Sequence, residues 1–295
     1  MSDTAPIQAA NMPHDTRHAV PGGQYSVLAR GVGRTFPDRR GHSVTALTGV
    51  DMEIAAGEFV CLVGPSGCGK STFLRLVAGL LAPTAGALTV APARPGKPQN
   101  RMVFQEYALF PWKTAEGNVA FGLEMTGIPK RERDTIARDW LAKVGLGKFT
   151  HAYPGQLSGG MRQRVGIARA FATDPDLLLM DEPLGALDAQ TKRVLQETLL
   201  TLWQGEAARK TVLYVTHSLE EAVLLGDRVI LMTAHPGTVK AEFPVSFPRP
   251  RTLELTATPD FAALVYNIWK ALEGEVRRAI DEESVGSRQS VVGSR

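Results

Sequence analysis

The chain has 295 residues, enough for one large domain or two, and its hydrophobic content of 44% excludes a mostly disordered protein. Its net charge of +3 is too small to indicate nucleic acid or anionic lipid as a partner, and no apolar run approaches the roughly 18 residues that would span a bilayer. The two cysteines, Cys61 and Cys68, do not make a secreted disulfide framework, so the composition predicts a globular protein of a reducing compartment.

The first strand patterns follow an N-terminal segment that lacks them. Residues 1–23 include three prolines and a Gly-Gly pair, so we predict a mobile arm and not a secretory signal, with ordered structure beginning near Tyr25. Two apolar stretches within residues 44–63 flank a turn signal at residues 56–58 and predict two strands. The second, residues 58–63, is a continuous apolar run typical of a strand buried on both faces of a parallel sheet.

Helical and β patterns alternate through the middle of the chain. A helical spacing follows the buried strand from Phe73 to Leu80, and residues 107–172 are predicted to be mostly helical. Short apolar runs at residues 177–180 and 211–215 predict two more buried strands. This alternation is typical of an α/β fold with an open, mainly parallel sheet.

The C-terminal part, residues 251–295, predicts one helix and a tail. Thr258 is expected to cap the helix, with Pro259 at its first position. We predict that the apolar face of this helix packs on its own domain, docking on a partner being the alternative. The last ten residues, rich in Ser and Gly, are expected to fray. Helical spacing is kept by Phe261, Leu264, Val265, Ile268, Trp269, Leu272 and Val276.

A glycine-rich loop joins the buried strand to the helix that follows it. Residues 64–72 fit the phosphate-binding pattern G-x-x-x-x-G-K-[ST]. Glycines let the backbone N–H groups point at a phosphate, and the following helix presents its positive end. Lys70 suits the β and γ phosphates of ATP, and the Ser71 hydroxyl suits Mg²⁺. The predicted nucleotide contacts are Gly64, Pro65, Ser66, Gly67, Cys68, Gly69, Lys70, Ser71 and Thr72.

Cys68 lies inside this loop and has two interpretations. In the first it is a passive filler whose backbone alone matters. In the second, the start of the helix lowers the pKa of its thiol and makes it sensitive to alkylation in the nucleotide-free protein.

Two adjacent carboxylates, Asp181 and Glu182, end an apolar strand pattern. Charges on a buried strand are tolerated where the strand ends, and ligands of α/β sheets bind at the carboxyl ends of strands. We predict that Asp181 holds Mg²⁺ through water and that Glu182 acts as the general base for the attacking water. The alternative is a solvated acidic turn.

A second anion site is predicted at the start of another helix. Ser158 can cap that helix, and Gly159 and Gly160 leave its backbone N–H groups uncovered. A chain with one phosphate-binding loop needs no second γ-phosphate site for itself, unless that site serves another copy. Here the chain resembles the ATP-binding cassette (ABC) ATPases, whose LSGGQ segment closes over ATP bound to the opposite subunit. The alternative for this segment is a simple helix cap.

The resemblance covers about residues 25–250 and assigns further residues. Gln105 looks like the Q-loop glutamine, which reaches the metal and the attacking water. Asp188 resembles the D-loop aspartate, which contacts the opposite subunit, and it is also expected at the bound nucleotide. His217 resembles the switch histidine at the γ-phosphate. Phe36 stands where the family places the aromatic that stacks on adenine, with packing as the alternative and with Val44 on the same face. The chain departs from the family consensus at Met161 and Gly185.

The resemblance also implies a fold and a division of the chain. The expected fold is that of an α/β P-loop NTPase with a RecA-like parallel-sheet core, an antiparallel β portion and an inserted helical subdomain. The ATPase domain would span residues 24–250, with the helical subdomain at about residues 107–172. ATP and Mg²⁺ are the expected ligands, and ATP hydrolysis is the expected reaction.

Four segments are similar to the nitrate/sulfonate/taurine import ATPases within this family. Such proteins are homodimers at the cytoplasmic face of the bacterial inner membrane, beneath two permease subunits that a periplasmic substrate-binding protein feeds. Nitrate, taurine, alkanesulfonates and pyrimidine precursors of thiamine all remain open as cargo. The alternative functions are a non-transport ABC ATPase acting on ribosomes or nucleic acid and a regulator that binds ATP without hydrolysis. The segments are residues 106–112, 114–119, 235–240 and 247–251.

Overall fold

In this computed structural model, no helix of the described part combines the length and the hydropathy that crossing a bilayer requires. The predicted N-terminal arm lies outside that part, as do Tyr107 of the Q-loop segment and Ala186 of the D-loop segment. Side chains of the last helix are described as far as Asp281. The structure describes residues 25–37, 43–92, 94–95, 97–106, 108–185, 187–204 and 210–292.

These residues form strands and helices that alternate along most of the chain. The strands are β1 (Tyr25–Pro37), β2 (Ser43–Ala55), β3 (Phe59–Val63), β4 (Ala85–Val90), β5 (Asn100–Val103), β6 (Leu177–Asp181), β7 (Thr211–Val215), β8 (Arg228–Met232) and β9 (Val239–Pro244). The helices are α1 (Lys70–Val77), α2 (Ala115–Met125), α3 (Lys130–Lys143), α4 (Gly159–Ala172), α5 (Ala189–Gln204), α6 (Leu219–Leu225) and α7 (Pro259–Val292).

Six strands form one sheet in the order β5-β6-β7-β3-β8-β9, in which the first five are parallel and β9 is antiparallel to β8. Every residue of β3, β6 and β7 is buried, as the three continuous apolar runs predicted. A second sheet of three antiparallel strands has the order β2-β1-β4. Because five strands run in parallel, the loops after their carboxyl ends lie along one edge of the larger sheet.

The larger sheet buries a core on each of its faces. On one face, Leu62, Leu179 and Leu213 pack with Phe73 of α1 and with apolar residues of the antiparallel sheet. On the other face, alternate strand residues such as Tyr214 pack with helices α4, α5, α6 and α7. This alternation is the two-residue period of strands that are covered on both sides.

A third core joins helices α2, α3 and α4, which occupy much of the predicted helical segment, residues 107–172. Val119 of α2, Leu141 of α3 and Val165 of α4 are buried in it. Helix α4 also contributes Phe171 to the core of the larger sheet. The same helix therefore connects the helical unit to the sheet that carries the candidate site.

Helix α1 ends earlier than the sequence pattern indicated. The spacing predicted a helix as far as Leu80, but α1 ends at Val77. Gly79 has a φ of 73°, in the left-handed region that glycine adopts without strain, and the chain turns there. Leu80 is consequently exposed and lies outside the core.

Helix α7 begins as the sequence predicted. Pro259 is its first residue, and the Phe261 N–H donates to Thr258 Oγ1 at 3.4 Å, so the threonine caps the helix. Phe261, Ile268 and Leu272 are buried in the core of the larger sheet. The predicted packing of this helix on its own domain is therefore what the structure shows.

Two features of α7 differ from expectation. Trp269, which the spacing placed on the apolar face, is 43% exposed, because it follows buried Ile268 and one residue of helix rotates the side chain by about 100°. The helix also continues to Val292, into the residues for which the sequence predicted fraying. The exposed Trp269 therefore contributes little to the core that α7 covers.

Arg251 connects the end of α6 to the segment that precedes α7 through hydrogen bonds. Its buried guanidinium donates to the carbonyl oxygens of Gly226 at 2.5 Å, Val245 at 3.0 Å and Phe247 at 3.1 Å. Burial lowers the pKa of Arg251 to about 10, so the side chain is still charged at neutral pH. The contacts explain the last arginine of the Phe-Pro-Arg-Pro-Arg segment, because only a planar cation with several donors satisfies so many carbonyl groups.

We expect Arg251→Met to lower the free energy of unfolding by ~3–5 kcal/mol, because it leaves several buried carbonyl groups without a donor. Urea unfolding followed by circular dichroism measures the change. Arg277→Met is the matched control, since Arg277 lies exposed on α7 and pairs only with Glu273 among the contacts described; its effect should stay below about 0.5 kcal/mol. Equal stability of the two variants would contradict this account of Arg251.

Candidate nucleotide site

The predicted phosphate-binding loop lies where the sequence placed it, between buried β3 and helix α1. Ser66 and Gly67 form its exposed tip, whereas Pro65 and Cys68 are buried. Gly69 packs against the carbonyl oxygen of Ala46 and the side chain of Leu47, both in β2. The antiparallel sheet therefore supports the loop from one side. Chain geometry therefore presents the loop tip to solvent at the carboxyl edge of the larger sheet.

The positive charge of the loop is held inside it. Lys70 is buried, and its Nζ donates to the carbonyl oxygens of Gly64 at 2.9 Å and Pro65 at 2.7 Å. The ammonium group thus lies within the curve of the backbone that is to surround a phosphate. Its position at the first residue of α1 adds the positive end of that helix to the same place.

Ser71 and Asp181 are brought together from 110 residues apart. The Ser71 hydroxyl donates to Asp181 Oδ1 at 2.8 Å, which joins α1 to the end of β6. Burial raises the pKa of Asp181, against the opposing effect of the hydrogen bond from Ser71. Hydroxyl and carboxylate oxygens are ligands that Mg²⁺ binds together with phosphate oxygens, so this pair of residues fits the ion.

Glu182 and His217 form the second pair of the site. Glu182 Oε2 lies 3.2 Å from His217 Nδ1, and the Glu182 N–H donates to the Val215 carbonyl oxygen at 3.0 Å. Glu182 has a φ of 43°, a backbone conformation that is uncommon for residues other than glycine. It turns the chain sharply after β6. Strand pairing of β6 with β7 therefore places a carboxylate and an imidazole side by side at the sheet edge.

Gln105 follows β5, whose residue Val103 is paired with Met180 of β6. The register puts Gln105 at the same sheet edge as the acidic pair. Its side chain is exposed, and within the described part of the chain no hydrogen bond of that side chain is found. The predicted contact of Gln105 with the metal and the water stays a prediction.

The second predicted anion site begins helix α4, as the cap pattern indicated. Ser158 is exposed, and its Oγ accepts a hydrogen bond from the Met161 N–H at 3.3 Å. Gly160 is buried for a packing reason that the sequence did not show. A Cβ at Gly160 would lie 2.4 Å from Thr191 Cγ2 of α5, so any larger residue would force the Thr191 side chain or its helix to shift. Gly159 opens the same turn of α4.

Asp188 has a role inside its own chain. Its Oδ1 accepts hydrogen bonds from the N–H groups of Gln190 at 3.1 Å and Thr191 at 3.0 Å, which caps α5. Hydrogen bonds from Thr191 lower the pKa of Asp188. The predicted contact of Asp188 with nucleotide is a separate expectation, which stays a prediction.

The predicted adenine-binding residues face each other across two strands. Phe36 of β1 is paired with Val44 of β2, whose side chain is exposed. The Arg34 guanidinium lies 4.5 Å from the centroid of the Phe36 ring, a contact that the sequence analysis missed. Val44 lies two residues before Ala46, which contacts the phosphate-binding loop at Gly69. The aromatic ring therefore lies on the strand pair that adjoins the loop.

The structure decides between the two interpretations of Cys68 and contradicts the second, a lowered thiol pKa. The Cys68 side chain is fully buried, and this burial raises the pKa of its thiol, although the charge of Lys70 opposes the shift. The lost hydration of a thiolate outweighs the field of the helix start. Cys68 is thus the filler of the first interpretation.

Gly160→Ala should lower the free energy of unfolding by ~1–3 kcal/mol, because the added methyl group overpacks the contact with Thr191. Thr191→Ser removes Cγ2, the atom in the way, so the double variant Gly160→Ala/Thr191→Ser should recover most of that loss. Thermal unfolding of the four proteins completes the cycle. If the second substitution rescues nothing, the packing explanation of Gly160 fails.

The chain is similar to known proteins along most of its length. Residues 47–185 match the family model described as ABC transporter. A nitrate import ATP-binding protein of Synechocystis is 45% identical over 263 residues, which cover 86% of this chain and 97% of that protein. A taurine import ATP-binding protein of Rhizobium johnstonii is 47% identical over 238 residues, which cover 78% and 89%.

A solved structure shares the fold. It is the dimeric post-hydrolysis state of an ATP-binding cassette bound to ADP and Pi, with a TM-score of 0.66 and 33% sequence identity. The match covers 75% of this chain and 100% of that chain. The predicted fold class is confirmed. The chain belongs to the ABC transporter family and is an ABC-type ATPase.

Proposed function

We propose that the chain is the ATP-hydrolysing subunit of a bacterial importer for small anions or organosulfonates. The observation that carries the proposal is the pair of contacts at one sheet edge, Ser71 with Asp181 and Glu182 with His217. Together with the phosphate-binding loop they supply the groups for hydrolysis of a phosphoanhydride. Similarity to nitrate and taurine import proteins supports the class of cargo.

Two copies of the chain would enclose two ATP molecules. Each nucleotide would lie between the Lys70 and Ser71 loop of one copy and the Ser158 and Gly160 helix start of the other. The exposure of Ser158 at the N-terminus of α4 supports this, because the positive end of that helix can then meet an anion from outside the chain. The solved structure of the similar ATP-binding cassette, bound to ADP and Pi, is a dimer.

Glu182 is the group that would accept a proton from the attacking water. Its carboxylate is fixed by the turn after β6 and by His217, which lies 3.2 Å away and would donate to the γ-phosphate as charge moves onto it. Lys70 would stabilise the same oxygens from within the loop. Mg²⁺, held by Ser71, Asp181 and Gln105, would supply neutralising charge to the phosphates.

Glu182→Gln should reduce ATP turnover by at least ~100-fold, the scale of losing one general base. ATP binding should remain, because the amide keeps the size of the side chain and the phosphate-binding loop is unchanged. Phosphate release and equilibrium ATP binding measure the two effects. Glu197→Gln, at an exposed position of α5, is the control that should turn over normally. Near-normal turnover of Glu182→Gln would remove Glu182 from this role.

The permease would dock beside the Q-loop segment. Trp112 is 71% exposed there, whereas its neighbour Phe110 packs on Phe121 with ring centroids 4.7 Å apart. An exposed tryptophan on a rigid aromatic base is typical of protein interfaces. In this arrangement the chain is peripheral at the cytoplasmic face of the membrane, and a periplasmic substrate-binding protein delivers cargo to the permease from the other side.

Co-purification from membranes tests the partner. A tagged Glu182→Gln chain with ATP present should recover a multi-span permease, because blocked hydrolysis keeps the closed dimer assembled. The same chain with the added Trp112→Ala should recover several-fold less permease at equal expression, as expected for loss of an aromatic interface residue. Recovery of ribosomes or nucleic acid without a membrane protein would support the non-transport alternative and contradict the importer function.

A further inference from the structure

The turn between β8 and β9 is built as a small rigid unit. We define this hairpin turn as residues 233–238. The Thr233 N–H donates to the Thr238 carbonyl oxygen at 3.0 Å, and the Thr238 N–H donates to Thr233 Oγ1 at 3.0 Å. The turn contains the His-Pro-Gly-Thr sequence of residues 235–238, which neither the hydrolysis chemistry nor the nucleotide contacts explain.

One side of the hairpin turn contacts the phosphate-binding loop. A Cβ at Gly237 would lie 1.9 Å from the Cys68 carbonyl oxygen, so the two backbones touch with no room for a side chain. The Gly237 N–H donates to the Ala46 carbonyl oxygen at 3.0 Å, and its carbonyl oxygen accepts from the Thr48 N–H at 3.0 Å. Gly237 is therefore held by β2 in direct contact with the loop.

The other side of the hairpin turn is held by α7. Glu275 is 2% exposed, and its Oε2 accepts a hydrogen bond from the Ala234 N–H at 2.9 Å. Glu275 Oε1 accepts from Lys240 Nζ at 2.7 Å and from exposed Arg278 at 3.4 Å. The Lys240 ammonium also donates to the Ala271 carbonyl oxygen at 3.0 Å. Both oxygens of a buried carboxylate are thus used to tie α7 to the base of the hairpin.

These contacts form a continuous path from the last helix to the phosphate-binding loop. Glu275 holds Ala234, the hairpin turn holds Gly237, and Gly237 meets the carbonyl group of Cys68. A loop that must aim several N–H groups at a phosphate depends on the position of its backbone to within about 0.5 Å. Loss of the support behind Cys68 would let the loop relax away from that shape.

We propose that Glu275 is a positioning residue for the nucleotide, acting through the hairpin turn on the phosphate-binding loop. It touches no nucleotide itself. The inference rests on the loop being the ATP site, and it does not depend on which permease or cargo the chain serves. The His-Pro-Gly-Thr sequence is then explained by the contact of its glycine with the loop.

The buried thiol of Cys68 reports the state of the loop directly. Because the chain has two cysteines, Cys61→Ala leaves Cys68 as the single thiol. In that background, the rate of its modification by a maleimide, measured without nucleotide, follows the opening of the loop. This readout needs neither transport nor hydrolysis, so it can fail or succeed independently of the proposed function.

Two variants remove the support and two matched controls leave it. Glu275→Gln removes the ionic contacts with the hairpin, and Gly237→Ala forces the turn off the loop. Glu273→Gln and Gly274→Ala make the same changes at nearby positions of α7, where the first side chain is partly exposed and pairs with Arg277, away from the hairpin turn, and the second position is open. We expect about tenfold faster Cys68 modification in Glu275→Gln and Gly237→Ala, the scale of losing one charge-assisted hydrogen bond. The controls should stay within about twofold of the parent, well below that one-bond scale.

Steady-state hydrolysis separates positioning from general stability. With Cys61 restored, Glu275→Gln and Gly237→Ala should raise the KM for ATP at least ~5-fold and change kcat less, since the loop binds the substrate before the reaction. An unchanged KM with an unchanged Cys68 rate, beside a lowered unfolding temperature, would overturn the proposal and leave Glu275 a merely structural residue. If Glu275→Gln does not fold, Lys240→Gln weakens the same contact, and the same two outcomes decide.

Discussion

The parallel pairing of β3, β6 and β7 is the constraint on which the rest of the site depends. Each of these strands is buried along its whole length, so charged groups are admitted only at or after its last residue. Parallel register then collects the polar residues of three separate segments at one edge. Lys70, Asp181 and His217 meet there because their strands end together, although they are far apart in the sequence.

Three buried charges of the described part are each met by backbone groups or by an opposite charge. Lys70 donates to two carbonyl groups of its own loop, and Arg251 satisfies the carbonyl groups around the end of α6. Glu275 is matched by Lys240 and by a backbone N–H. The contacts of Arg251 and Glu275 join elements distant in the chain, so the cost of burying these two charges is offset while those elements are held together.

Much of the site was predictable because its chemistry is local. The phosphate-binding loop, the acidic end of β6 and the histidine after β7 are each recognised from a few neighbouring residues. Where the sequence prediction failed, a distant contact or the burial of a side chain was the reason. The two interpretations of Cys68 could not be separated because only the structure shows the burial that raises the pKa of its thiol, and the Arg34 contact with Phe36 was missed because its motif was loose.

The sequence by itself determined the α/β class, the phosphate-binding loop and the residues proposed to act in ATP hydrolysis, because strand periodicity and loop chemistry are encoded over short spans. Only the tertiary structure decided which distant residues support them. Thr191 requires a glycine at position 160, and Gly237 meets Cys68 in a contact that no spacing reveals. Such close approaches depend on how helices and strands pack, and packing is decided by the whole chain at once.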